Sequence, residues 1–388
     1  PGSSNNYKHL ALTNNTSDVT LFLYKTSTMK SSCPTWMRAF SCFVLSICLA
    51  EYSYSQCDTV VLLSDIHPGT GGSNPSSLIH HNDKLYFSAN DGVSGNELWQ
   101  YDIVTGNSSV LADINPGLAS SLPSQLRELN GNWYFSANDG TYGVELWKFD
   151  GINVQRISDI NPGSASSSPG SIRVFDNRLF FSANDGVHGT ELWCYDPATD
   201  SFAMVADIAT GLNTSEPSWL YPYNGVLIFS ANGNTNTGQE LWRYDPISNN
   251  VTLAADIYPG QNGSYPKGFQ TYNGELYFSA RDNGYNYQLW KYDGNTAIQA
   301  AHVSNAIYGA HPAYLTLYDD KLYFKAYINS AKEELYSYDG SLLELVSDFQ
   351  SIPGSGGLGE LTVFEDRLYF KAEIYAHGSE LWYFTPDT

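Results

Sequence analysis

Residues 88–102, SANDGVSGNELWQYD, space Asn90, Asp91 and Glu97 among glycines, as oxygen ligands around a calcium ion often are. The stretch returns as SANDGTYGVELWKFD from Ser136 and SANDGVHGTELWCYD from Ser182. On a metal reading, Asp91 with Glu97, Asp139 with Glu145, and Asp185 with Glu191 would hold Ca2+, backbone carbonyls completing a shell of about six to eight oxygens. A structural reading competes. The three aspartates would accept backbone N–H groups in Asx turns while the glycines supply positive φ. The glutamates would be buried carboxylates, which must be paired, and would accept loop amides between neighbouring units. The structural reading is preferred. Only the first three units keep the whole pattern, and Gln288 replaces the glutamate once. A second set, Asp65, Asp113, Asp159, Asp207, Asp256 and Asp348, sits just before turns such as Asn-Pro-Gly and reads as turn formers.

Specific recognition should concentrate where the repeats differ. Arg281, Tyr285 and Tyr287 occupy one long loop, and His311 stands at the entry to the next unit. His67 and His377 fall at long-loop positions around the last unit. These six are the candidate ligand-binding residues, because exposed aromatics stack on sugars or anchor protein partners. Trp219, with Tyr221 and Tyr223, adds aromatics to one first strand and is expected to pack between units. No candidate catalytic residues emerge. The sequence has no GxSxG, HExxH, CxxC or phosphate-cradling loop.

The element that must position these residues is a repeat. Its ELW-like aromatic falls at Trp99, Trp147, Trp193, Trp242, Trp290, Tyr336 and Trp382, a period of 46 to 49 residues. Each unit reads as four short strands. The second strands (KLYFSA, NWYFSA, RLFFSA and relatives) and the third strands (ELWQY and relatives) carry apolar residues on both alternating positions, so both sheet faces are buried. Pairs such as Asn130-Gly131 and Asn224-Gly225 mark two-residue hairpins between first and second strands. Four-stranded antiparallel sheets at this period predict an all-β, seven-bladed β-propeller. The chain ends on a third strand, and residues 59–66 (TVVLLSDI) resemble a lone fourth strand. The N-terminal strand 59–66 is therefore expected to complete the last blade and close the ring. Long loops join strands two to three and four to one on a single face, where ligands are expected.

Residues 29–55 read as a secretory signal peptide: Met29, a basic residue at Arg38, the apolar run 39–50 and small residues before Gln56. The run is too short to span a bilayer. Residues 1–28 are read as upstream leader, disordered or untranslated, and 56–388 as the propeller. Secretion to the exterior or the cell surface follows. Of five cysteines, only Cys57 and Cys194 lie beyond the leader, so disulfides do not build this fold. The net charge of −21 repels nucleic acid and anionic membranes.

The units resemble the ELWxxDGT repeat of secreted bacterial proteins, best at VELWKFDG (144–151) and QLWKYDG (288–294), although the terminal Gly-Thr is mostly absent. Weaker likenesses exist to kelch and Asp-box propellers. The resemblance implies a repetitive extracellular propeller and says little of its ligand. The expected function is a non-catalytic binding or adhesion module for an extracellular protein or glycan, with Ca2+ as the one cofactor considered. The alternatives are an extracellular polymer-acting enzyme, of glycoside hydrolase or lyase type, using acidic residues at the loop-rich face, or a structural matrix component.

Overall fold

A computed structural model describes residues 62–234, 237–282, 286–305, 309–329, 332–346, 357–374 and 378–386. Among them, 27 strands form seven antiparallel sheets, six of four strands and one of three, each in chain order. The chain is a seven-bladed β-propeller. In blade one the strands are Ser76–His81, Lys84–Asn90, Asn96–Asp102 and Asn107–Ala112. First strands of consecutive blades lie side by side and surround the axis.

The aromatic and aliphatic residues of the second and third strands explain the stacking. Tyr86 and Leu98 on one face of blade one meet Trp133, Phe135, Ala137, Trp147 and Phe149 of blade two. The same face-to-face packing recurs through blade seven. Phe135, Phe181, Phe229, Phe278 and Phe324 have no exposed surface. The expected hairpins are present. In six of the seven, both central residues take positive φ, as at Asn130-Gly131 (54°, 76°) and Asn224-Gly225 (46°, 78°), the twist a tight hairpin needs.

Two features lie outside a plain repeat of strands. First strands start with an irregular register whose second residue has positive φ: Ser77, Gln125, Ser171, Trp219, Gly268 and Tyr314. At this bulge Trp219 and Tyr314 stand exposed at the loop-rich end. Blade seven has three strands among the described residues. Of the expected closing strand, 59–61 lie outside the described residues, and 62–66 are described without strand pairing. The third-strand leucine is at most 1 % exposed in blades one to six, yet Leu381 is 47 % exposed.

Candidate functional site

The glutamates of the third strands are struts. Glu97 is fully buried and accepts the N–H of Ile114 (2.8 Å), the N–H of Ser121 (2.9 Å) and the Ser121 hydroxyl (2.5 Å), from the connection into blade two. Glu145 does the same with Ser167 N–H and the Ser158 hydroxyl, Glu191 with Ile208 N–H and the Ser215 hydroxyl, and Glu240 with Ile257 N–H and the Ser264 hydroxyl. In blade five Ala310 stands where the others have serine, and the carboxylate is replaced too. Gln288 accepts Val303 N–H (2.7 Å) and donates to the Ser304 carbonyl (2.9 Å). Losing the hydroxyl donor and losing the charge go together.

The loop aspartates are Asx turns. Asp91 Oδ1 accepts Val93 and Ser94 N–H, Asp139 Oδ1 accepts Thr141 and Tyr142 N–H, and Asp185 Oδ1 accepts Val187 and His188 N–H. A calcium ion needs oxygens turned inward on one point. Here the six candidate carboxylates turn their oxygens to N–H and O–H donors, and among the described residues no three His, Cys, Asp or Glu side chains converge. The donor set fits amides and not a metal. The turn-former aspartates behave similarly: Asp113, Asp159 and Asp207 accept the N–H of Gly117, Gly163 and Gly211.

The non-repeat residues sort into different roles. Tyr287 and His311 stack with ring centroids 4.2 Å apart, and Tyr327 meets His311 edge-on at 6.1 Å. Gly309 makes this possible. It has φ of 84°, and a Cβ there would collide with the Tyr287 backbone, whose carbonyl accepts Ala310 N–H at 2.7 Å. Arg281 supports a loop, donating to the carbonyls of Gly263 (2.9 Å) and Asn262 (2.6 Å) with its guanidinium 4.5 Å from the Tyr265 ring centroid. His67 packs its ring against Gly71 and Gly92 in blade one, the place Asn115 and Asn161 hold in the next two units. It is far along the ring from the Tyr287 group and reads as a loop filler. Tyr285 and His377 lie outside the described residues.

Sequence reasoning misplaced Trp219. It is 43 % exposed, not packed between blades, because the bulge gives it a φ of 56°. It lines a cavity of about 130 Å³ at the loop-rich end with Ser230, Gln239, Tyr265, Pro266, Lys267 and Tyr287. Lys267 was also missed. Its ammonium lies 4.8 Å from the Tyr287 ring centroid, has no carboxylate within 4.0 Å among the described residues, and burial pushes its pKa down. Among the described residues the buried Ser230 hydroxyl has no hydrogen-bond partner. A larger cavity of about 500 Å³ opens on the opposite, tight-turn face between blades two and three. There Arg178 is paired with Asp176 at 2.8 Å. A His–carboxylate pair, His188 Nδ1 to Asp185 at 2.7 Å, belongs to the blade-three loop and to neither cavity lining.

No family model and no curated protein matches the chain. Solved structures do. A structure from an analysis of two prolyl endopeptidases aligns with TM-score 0.53 at 11 % identity, over 82 % of this chain and 51 % of that one. The β-propeller domain of the Trilobed protease from Pyrococcus furiosus aligns with TM-score 0.49 at 10 % identity, over 82 % and 97 %. The likeness to the endopeptidase structure shows the fold alone. The chain spans about half the length of the endopeptidase chain it matches.

Proposed function

We propose that the protein is a non-catalytic recognition module, and that it binds an acidic glycan at the loop-rich ends of blades four and five. The carrying observation is the cavity lined by Trp219, Tyr265, Tyr287 and Lys267, whose ammonium stands 4.8 Å from the Tyr287 ring centroid; among the described residues that ammonium has no carboxylate within 4.0 Å and the buried Ser230 hydroxyl has no hydrogen-bond partner. Aromatic faces take the apolar side of a sugar ring. Lys267 would take a carboxylate or sulfate, and Ser230 and Gln239 would take ring hydroxyls. The cavity of about 130 Å³ would take part of a terminal residue, with the exposed Trp219 and Tyr265 extending the contact outward. Export to the cell exterior and the resemblance to ELWxxDGT repeats are consistent with such a role and belong to the same proposal.

Lys267→Met should weaken binding of uronic-acid-bearing or sulfated oligosaccharides by about tenfold, the loss of one charge-assisted hydrogen bond, and leave any neutral ligand unaffected. Titration calorimetry reads this directly. Equal affinity in the variant and the parent would remove Lys267 from recognition.

A further inference from the structure

Blades two and five share a pattern on the tight-turn face. Tyr134 stands opposite Lys148 across the second and third strands of blade two, and Tyr277 stands opposite Lys291 in blade five. In both, a tyrosine of the next blade packs on the first one. Tyr195 meets Tyr134 with ring centroids 5.7 Å apart, and Tyr338 meets Tyr277 at 5.9 Å.

Blade five fills this place with its own carboxylate. Glu275, the first residue of its second strand, accepts Lys291 Nζ at 2.9 Å and the Tyr277 hydroxyl at 3.1 Å. Tyr272, the last residue of its first strand, donates its hydroxyl to the Asp320 carbonyl of blade six at 2.8 Å and so ties the two hairpins together. Blade two has neither group. Asn132 stands at the position of Glu275, and its amide donates to the Asn130 carbonyl at 3.2 Å. Leu129 stands at the position of Tyr272 and has no hydroxyl to reach across.

The cavity of about 500 Å³ opens where these two groups are missing. Asn130, Asn132, Tyr134 and Lys148 line it from blade two, and Asn177 and Arg178 from blade three. Among the described residues Lys148 has no carboxylate within 4.0 Å, whereas Lys291 has Glu275 and Arg178 has Asp176. Asp150, two residues along from Lys148, turns its Oδ1 to the N–H groups of Ile152 and Asn153. The lysine is thus kept in blade two while the carboxylate that answers it in blade five is gone.

We propose that this cavity binds a small monocarboxylate of the sugar-acid class, its carboxylate seated on Lys148 as Glu275 is seated on Lys291. An ammonium and a carboxylate form a charge-assisted hydrogen bond, stronger than one between neutral groups. The amides of Asn130, Asn132 and Asn177 each carry donors and an acceptor, which suits the hydroxyls of a sugar acid. One negative charge is the limit. Asp176 and Asp196 also line the cavity, and Arg178 offsets only the first. The volume falls in the range of about 300–1,000 Å³ that small-molecule sites span. The site lies on the opposite face from Lys267 and does not rest on glycan binding there.

The test is calorimetric titration of the intact chain carrying Lys267→Met, with sodium glucuronate and separately with glucose, at fixed ionic strength. Saturable glucuronate binding is expected, about tenfold or more tighter than that of glucose. Lys148→Met should weaken it about tenfold. Asn132→Glu, which supplies the carboxylate of blade five from within, should abolish it and raise the melting temperature. Absence of saturable glucuronate binding, equal binding of glucose, or glucuronate binding that survives either substitution overturns the proposal. Asn132→Glu keeps the test decisive if Lys148→Met does not fold, because it fills the site without shortening a packed side chain.

Discussion

At the residue scale, the glutamate struts carry a pH signature. Glu240 takes four donors, from Ile257, Tyr258 and Ser264 N–H and the Ser264 hydroxyl, which favour the ionised form. Burial outweighs them and raises its pKa from 4.5 to about 7. Burial likewise raises Glu97 and Glu191. A carboxyl whose pKa is higher folded than unfolded binds more protons in the native state, so stability falls as pH rises. For Glu240 the fall runs from about pH 4.5 to about pH 7 and is flat above, amounting to at most about 3 kcal/mol. Glu240→Gln should therefore flatten the dependence of melting temperature on pH between 5 and 8; an unchanged slope would contradict the assignment. Glu97→Ala strands three buried donors and should cost about 3 kcal/mol or more, while Asp91→Ala, at an exposed turn, should cost about 1 kcal/mol. Denaturant unfolding checks the order of the two. That the glutamate is a strut was legible in the sequence, because Gln288 shows that charge is dispensable. The role of His67 was missed although the signal was there: DIHPG (65–69) aligns with DINPG at 113–117 and 159–163, which puts His67 at the position of Asn115 and Asn161.

At the element scale, the repeated loops position the ring of blades and the variable strand starts position the site. Strand order, tight hairpins and the long-loop face all follow from alternation and Asn-Gly pairs, which act locally. The bulge at the start of the first strand does not announce itself, since its positive φ falls on residues as different as Ser77, Gln125, Trp219 and Tyr314. Hence Trp219 was expected inside and stands outside. Gly309 is a case where backbone geometry supports the site. Gly309→Ala adds a Cβ against the Tyr287 backbone at positive φ, so it should lower stability by about 1–2 kcal/mol and loosen the Tyr287–His311 stack. Tryptophan and tyrosine fluorescence of the variant, with its melting temperature, would show both effects, and a parent-like melt would count against that packing.

At the scale of the whole molecule, the seven-blade count and blade composition were readable from a 46-to-49-residue period because each unit must bury two faces against its neighbours. Closure was readable only as an expectation. The third strand of blade seven, Gly378–Phe384, leaves Leu381 and Tyr383 47 % and 55 % exposed and has no fourth strand beside it among the described residues. If residues 59–66 pair there, deleting them should lower the melting temperature by several degrees and promote association through the open edge. Light scattering and melting of the truncated chain decide it, and an unchanged monomer would argue for a ring closed in another way.

The central claim is that repeated carboxylates are scaffold and that recognition lies in the unrepeated aromatic–cation group of blades four and five. A glycan array probed with the parent chain and with Tyr287→Ala, in calcium and again in EDTA, tests it most directly. The predicted result is binding to carboxylated or sulfated glycans, unaffected by EDTA and lost in Tyr287→Ala. Binding abolished by EDTA, or retained in full by Tyr287→Ala, would contradict it.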